Sequence, residues 1–158
     1  MEQNNVEIEQ LKHNEIENII YVLKSLADNH NKVAKYFNGI YPQKTFEQTI
    51  LEISKEVENG ISIVDSIKIN NKIIGFSQYK IEDNIGELKY FAILPEYRNK
   101  GYGKLLMDRI MKYFENKKIK RTDIRVVYGN DEAKRFYEKF GFKISSQIMS
   151  IINKYLII

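Results

Sequence analysis

The apolar residues of this 158-residue chain change period along its length, and the changes mark its elements. Val6–Leu11 reads as a first strand. Over Asn14–Leu26 the apolar positions Ile16, Ile19, Ile20, Leu23 and Leu26 fall on one helical stripe. Lys32–Pro42 reads as irregular or as a short helical piece. Thr45–Asn59 returns to helical spacing through Phe46, Ile50, Ile53 and Val57, and Gly60 follows as a stop signal. The period then drops to two. Ser62–Ile69 and Lys72–Ile81 predict paired strands joined at Asn70-Asn71, and Ile85–Leu94 predicts a third, ended by Pro95. Gly103–Phe114 is amphipathic, with Leu106, Met107, Ile110, Met111 and Phe114 on its buried stripe. Thr122–Tyr128 reads as a strand and Asp131–Phe140 as a short helix with Gly141 past its end. Lys143–Ile148 and Ile151–Ile157 read as closing strands.

The resulting order is β-α-α-β-β-β-α-β-α-β-β over a single domain, residues 1–158. It predicts an α/β (α+β) fold with a mixed, mostly antiparallel central sheet and about four flanking helices. A parallel contact is expected across the Gly103–Phe114 crossover.

Composition narrows the chemistry. There is no cysteine, which excludes disulfides, cysteine-ligated metals and a cysteine nucleophile. The two histidines, His13 and His30, have no metal-binding spacing and read as ordinary surface residues, so no metal is expected. The polar N-terminus is unlike a signal peptide. No apolar run approaches the roughly 20 residues of a membrane helix. A cytoplasmic protein without a membrane partner is the expectation. Charge is uneven: residues 95–143 carry 14 Lys/Arg against 7 Asp/Glu, whereas residues 1–94 carry 10 against 14. The basic segment suits either solvated helix faces or a polyanion such as a phosphorylated cosubstrate.

That segment opens on Arg98-Asn99-Lys100-Gly101-Tyr102-Gly103-Lys104, between a strand and a helix. A helix N-terminus offers free N–H groups, and glycines let an anion approach the backbone. Arg98, Lys100 and Lys104 add charge, and the construction suits a pyrophosphate. It is neither a Walker A loop, since Leu105 follows Gly103-Lys104, nor a dinucleotide fingerprint, which would need glycine at Leu106. A helix entry with no ligand has the same look.

Arg98-Asn99-Lys100-Gly101-Tyr102-Gly103 resembles the acetyl-CoA signature R/Q-x-x-G-x-G/A of the GNAT superfamily of N-acetyltransferases. Glu87–Pro95 resembles that family's fourth strand. Asn130 through Phe142 resembles its second motif, N-x-x-A-x-x-F-Y-x-x-x-G-F. The likeness spans residues 87–142, and residues 1–60 match no acceptor subgroup. It implies an acetyl-CoA-dependent acyltransferase moving an acetyl group to a primary amine of a small molecule or protein. Ile93 and residues 98–104 would bind the coenzyme, as would Asn130, which is also placed to cap its helix. Tyr137 lies with Ala133, Phe136 and Phe140 on one stripe and reads alone as a core aromatic. The resemblance turns it toward the coenzyme sulfur as the catalytic acid. Glu87 reads either as an exposed strand-start residue paired with a lysine or as the catalytic base, with Lys89, Phe91 and Ile93 expected on its face.

Tyr36, Phe37 and Tyr41 are the candidate acceptor-site residues, with a helix-packing patch as the alternative. The apolar tail from Ser150 suggests a possible homodimer. A non-catalytic acetyl-CoA-binding regulatory module is the alternative reading of the whole chain. Nucleic acid is not expected as a partner, because the basic segment coincides with the glycine loop and two amphipathic helices.

Overall fold

A computed structural model describes residues 4–152. Strands β1 (Val6–Gln10), β2 (Ser62–Ile69), β3 (Lys72–Glu82), β4 (Ile85–Ile93) and β5 (Arg121–Ile124) form one sheet in that order. The first four pair antiparallel, and β5 joins β4 in parallel. The hairpin turns at Asn70-Asn71 and Asp83-Asn84 use φ values of 49, 66, 51 and 61°. Asn and Asp tolerate this left-handed region, and such two-residue turns match the twist of paired strands.

Helices α1 (Ile20–Val33), entered through a 3-10 turn at His13–Ile19, and α2 (Phe46–Glu58) lie on one face. Their Ile16, Ile19, Val22, Leu23 and Ile53 bury against Val64, Ile73, Phe76 and Ala92. Helices α3 (Tyr102–Asn116) and α4 (Asp131–Glu138) cover the other. There Leu106, Met107, Ile110 and Phe114 meet Ile67, Ile74 and Leu88. Thr45 caps α2 reciprocally: its hydroxyl accepts from the Gln48 N–H and its own N–H donates to Gln48 Oε1, both at 3.1 Å.

One irregularity governs the rest. Gln78 pairs with Tyr90 while Tyr79 pairs with Leu88, so Lys89 is an extra residue in β4, a β-bulge. The bulge breaks the alternation of faces. Leu88, Phe91 and Ile93 pack with the α3 layer, whereas Tyr90 and Ala92 pack with the α1–α2 layer. The single face expected for Glu87, Lys89, Phe91 and Ile93 is therefore split: Lys89 reaches Glu56 of α2, and Phe91 meets α4.

The parallel ladder between β4 and β5 ends at Leu88 and Ile124, the pair just before the bulge. The strand expected over Thr122–Tyr128 accordingly stops at Ile124, because its partner turns away. Residues 142–152 have no regular secondary structure, so the strand expected at Lys143–Ile148 is absent. Alternation without a partner to complete the ladder does not make a strand. Most of the Ile151–Ile157 segment lies outside the described residues.

The connection after α1 is ordered by Asn31. Its Oδ1 accepts from the N–H groups of Gly39 (2.9 Å) and Tyr41 (3.1 Å), and its Nδ2 donates to the Tyr41 carbonyl at 2.7 Å. His30 is not an ordinary surface residue. It is half-buried with its ring edge-on to Tyr41, and burial lowers its pKa, so it is neutral near pH 7. This connection clamps the β5–α4 loop, where the Lys35 N–H donates to the Tyr128 carbonyl at 2.9 Å. Gly129 makes the approach possible: at φ +106° its Cβ would stand 2.4 Å from the Val33 carbonyl oxygen and 2.6 Å from the Lys35 nitrogen. Gly129→Ala should therefore cost about 2 kcal/mol or more, read as a lowered thermal midpoint.

Candidate active site

Where β5 leaves β4, the edge of β4 lies open. The Leu94 N–H donates to the Ile74 carbonyl on β3 at 2.8 Å. Successive peptide groups of a strand point to opposite sides, so the N–H groups of Ile93 and Phe91 point away from β3, into the gap. The Ile93 carbonyl points the same way and accepts from Arg98 Nε at 2.9 Å. Arg98 also donates to Asn29 Oδ1 of α1 at 3.2 Å. It thus braces the end of β4 against α1, and its Nε is committed to the backbone rather than free for an anion.

Beyond Arg98 the chain makes a tight left-handed entry into α3. Asn99 has φ 59° and Gly101, the N-cap, φ +87°. A Cβ on Gly101 would have no atom within 4 Å, so its backbone faces open space. The first amides of α3, including those of Tyr102, Gly103 and Lys104, have no partner within the helix and sit at its positive end. This is a fit for a pyrophosphate. Lys100 is exposed with its ammonium 6.0 Å from the Tyr97 ring centre, and Lys104 pairs with Asp108 at 2.6 Å. The missing side chain of Gly103 also serves packing. A Cβ there would stand 3.3 Å from the Phe136 ring, so the missing side chain admits α4 close to the start of α3.

Helix α4 closes the gap from the α3 side. Asn130 caps it, Oδ1 accepting from the Ala133 N–H at 3.1 Å. Tyr137 stands edge-on to Phe91 at 6.1 Å between ring centres, and its hydroxyl makes no hydrogen bond among the described residues. Burial pushes its pKa up from the ordinary phenol value, so it stays protonated across the working range.

Glu87 lies four residues before Phe91 in the chain but, with Lys89 bulged out, about 10 Å along the strand, on the opposite face. Its carboxylate is 40% exposed and 3.6 Å from the Lys80 ammonium. Glu87 and Tyr137 thus sit on two sides of one strand rather than in contact. Of the aromatic trio, Tyr36 is exposed and stacks near-parallel (11°) on Tyr128 at 6.1 Å, with the Lys35 ammonium 5.6 Å from both rings. Phe37 is exposed at φ 60°, and Tyr41 turns inward to His30. Sequence reasoning missed Asn29, Lys89 and Tyr128, each of which acts only through a partner distant in the chain. Among the described residues, no His, Cys, Asp and Glu group could hold a metal ion, and no helix is long and apolar enough to cross a membrane.

The acetyltransferase (GNAT) family pattern matches residues 17–142. The chain belongs to that family. A spermidine N(1)-acetyltransferase of Thermoplasma acidophilum is 30% identical over 118 residues, covering 68% of this chain and 73% of its own. The PaiA N-acetyltransferase from the same organism, solved with coenzyme A, superposes with a TM-score of 0.76 at 23% identity, over 91% of this chain and 93% of that one. An aminoglycoside N-acetyltransferase, AAC(6')-Iy, solved with CoA, gives 0.72 at 14% identity over 96% and 97%. Family membership makes acetyl transfer from acetyl-CoA to an amine the activity of this chain. Gly101→Val should leave the protein folded, since the added atoms enter open space, while its strained φ costs about 1–3 kcal/mol. Its affinity for acetyl-CoA, measured by calorimetry, should fall at least about tenfold, a loss of roughly 1.4 kcal/mol or more.

Proposed function

We propose that acetyl-CoA lies along the opened edge of β4, its pyrophosphate on residues 101–104 and its thioester beside Phe91 and Ile93. The amine enters from the α1–α2 side. The observation that carries this reading is the parting of β4 and β5 at the bulge, which turns unpaired amides into a gap that Tyr137 also faces.

In this arrangement the free N–H groups of Phe91 and Ile93 polarise the thioester carbonyl. Glu87, directly or through water, takes a proton from the incoming ammonium, because only the neutral amine has a lone pair to form the C–N bond. As the C–S bond breaks, Tyr137 donates a hydrogen bond to the sulfur on which charge develops. Full proton transfer from Tyr137 is uphill: an ordinary phenol near pKa 10 is already a weaker acid than a thiol near 8.5, and burial raises Tyr137 further. Its role is thus donation of a hydrogen bond, and solvent completes the protonation. Much of the remaining acceleration comes from holding both substrates in line.

The acceptor site belongs with Tyr36, Phe37 and Tyr41 at the mouth. The 30% identical relative, a spermidine N(1)-acetyltransferase, directs an amine screen first to spermidine. The whole chain working as one cytoplasmic domain, with a homodimer covering exposed Ile148, Met149 and Ile151, completes the proposal. Sedimentation as a monomer at micromolar concentration would remove the dimer.

Tyr137→Phe keeps the ring and removes one hydroxyl. It should lower kcat by about 10²–10³, the range of one lost transition-state hydrogen-bond donor, with little change in acetyl-CoA affinity or thermal midpoint. Wild-type turnover in the folded variant would return Tyr137 to a packing role. A raised pKa also means that the phenol stays protonated at pH values where an ordinary tyrosine begins to ionise. The kcat profile should accordingly show no Tyr137-dependent falling limb up to about pH 10, tested by comparing wild type with Tyr137→Phe. Glu87→Gln should shift the rising limb to higher pH and be partly rescued by an acceptor of low amine pKa.

A further inference from the structure

Lys89, the extra residue of the β4 bulge, is not part of the chemistry described above. Its ammonium crosses to α2 and lies 2.7 Å from Glu56 Oε1. The other oxygen of Glu56 accepts from Gln78 Nε2 at 2.8 Å, and that same amide nitrogen donates to Ser62 Oγ at 2.9 Å. Gln78 is 1% exposed and pairs with Tyr90, the residue next to the bulge. The side chains of Lys89 and Glu56 keep only 26% and 24% of their exposure, so this is a largely desolvated pair.

Such a pair is an expensive way to attach a helix. Withdrawing two charges from water offsets most of their attraction, and well-packed apolar residues often serve stability as well. What the pair supplies is register. Lys89 and Tyr90 are consecutive, yet both turn to the α2 side, which no regular strand permits. Straightening β4 forces one of two changes. Either Lys89 leaves Glu56 for the apolar layer beneath α3, or Phe91 and Ile93 rotate away from α4 and Tyr137. The first buries an unpaired ammonium in the place now held by Leu88, next to Phe114, turns Leu88 to the other face and strands the Glu56 carboxylate.

We propose that Lys89 is a positioning residue. Its ion pair with Glu56, fixed in turn by the buried Gln78 amide, holds the bulge. The bulge keeps the free amides of Phe91 and Ile93 toward the thioester and Glu87 on the acceptor side. The proposal rests on the reading that the thioester lies along this edge.

The test compares Lys89→Leu, Lys89→Arg, Glu56→Gln and the charge exchange Lys89→Glu/Glu56→Lys in the full chain. Acetyl-CoA affinity is measured by calorimetry. Turnover is measured with spermidine, or with the amine of highest turnover in the screen. Lys89→Leu and Glu56→Gln should each lower kcat on the order of tenfold, while acetyl-CoA affinity changes less than about threefold. Lys89→Arg should keep most of kcat, and the charge exchange should restore more of it than either Lys89→Glu or Glu56→Lys alone. Wild-type kcat in Lys89→Leu would overturn the proposal. So would a loss of affinity as large as the loss of kcat, or a charge exchange no better than its worse single change. If the thioester lies elsewhere, Gly101→Val and Tyr137→Phe lose their effects as well. If only the positioning role is wrong, those two effects persist.

Discussion

One extra residue in a strand sets the geometry of this enzyme. Because Lys89 is inserted into β4, the strand cannot keep pairing with β5 while it continues to pair with β3. The parallel ladder breaks there, and backbone groups that would have paired with β5 are left facing a gap. An unpaired buried amide is costly, so the gap is a place where a ligand with an acceptor oxygen is stabilised on arrival. The same insertion sorts the side chains, with the carboxylate of Glu87 on one side of the strand and the ring of Phe91, against Tyr137, on the other.

The gap works only if α3 stays where its N-terminus can meet a phosphate, and the core holds it there. Leu106, Met107, Ile110 and Phe114 bury its inner stripe. A polar tie adds direction. Asp65, wholly buried on β2, accepts from the Tyr79 hydroxyl at 2.7 Å and from Arg109 Nε of α3 at 3.1 Å. Burial and the Asp65 carboxylate together push the Tyr79 phenol well above its ordinary pKa, so it remains a donor. At the other end, Arg98 joins the close of β4 to Asn29 of α1. Each helix layer is thereby tied to the sheet, α3 to β2 and α1 to the end of β4, and the open edge sits between fixed walls.

Much of this was legible in the sequence because it is local. Helical stripes, the Asn70-Asn71 turn, the Asn130 cap and the glycine entry to α3 are each decided by residues within one or two turns of each other. The face assignment of Glu87 failed because alternation has no term for an inserted residue, and only the β3 partner reveals the insertion at Lys89. The end of β5 failed for the same reason, one strand further out. The brace made by Arg98 was not readable, because its partners, Asn29 and the Ile93 carbonyl, are brought to it by the fold. His30 looked like a surface residue because nothing in its neighbourhood announces that Tyr41 will close over it. Asp65, in an apolar strand, is readable only with Arg109 and Tyr79 in place.

The most direct test of the opened β4 edge is residue-resolved amide hydrogen exchange with and without acetyl-CoA. The amides of Phe91 and Ile93 are free of sheet pairing, and those of residues 102–104 are free of helix pairing. Leu94 is already bonded to Ile74. New protection is expected at Phe91, Ile93 and residues 102–104 on binding, with Leu94 protected in both states. Saturating acetyl-CoA that leaves Phe91 and Ile93 exchanging as before would contradict a thioester site on this edge.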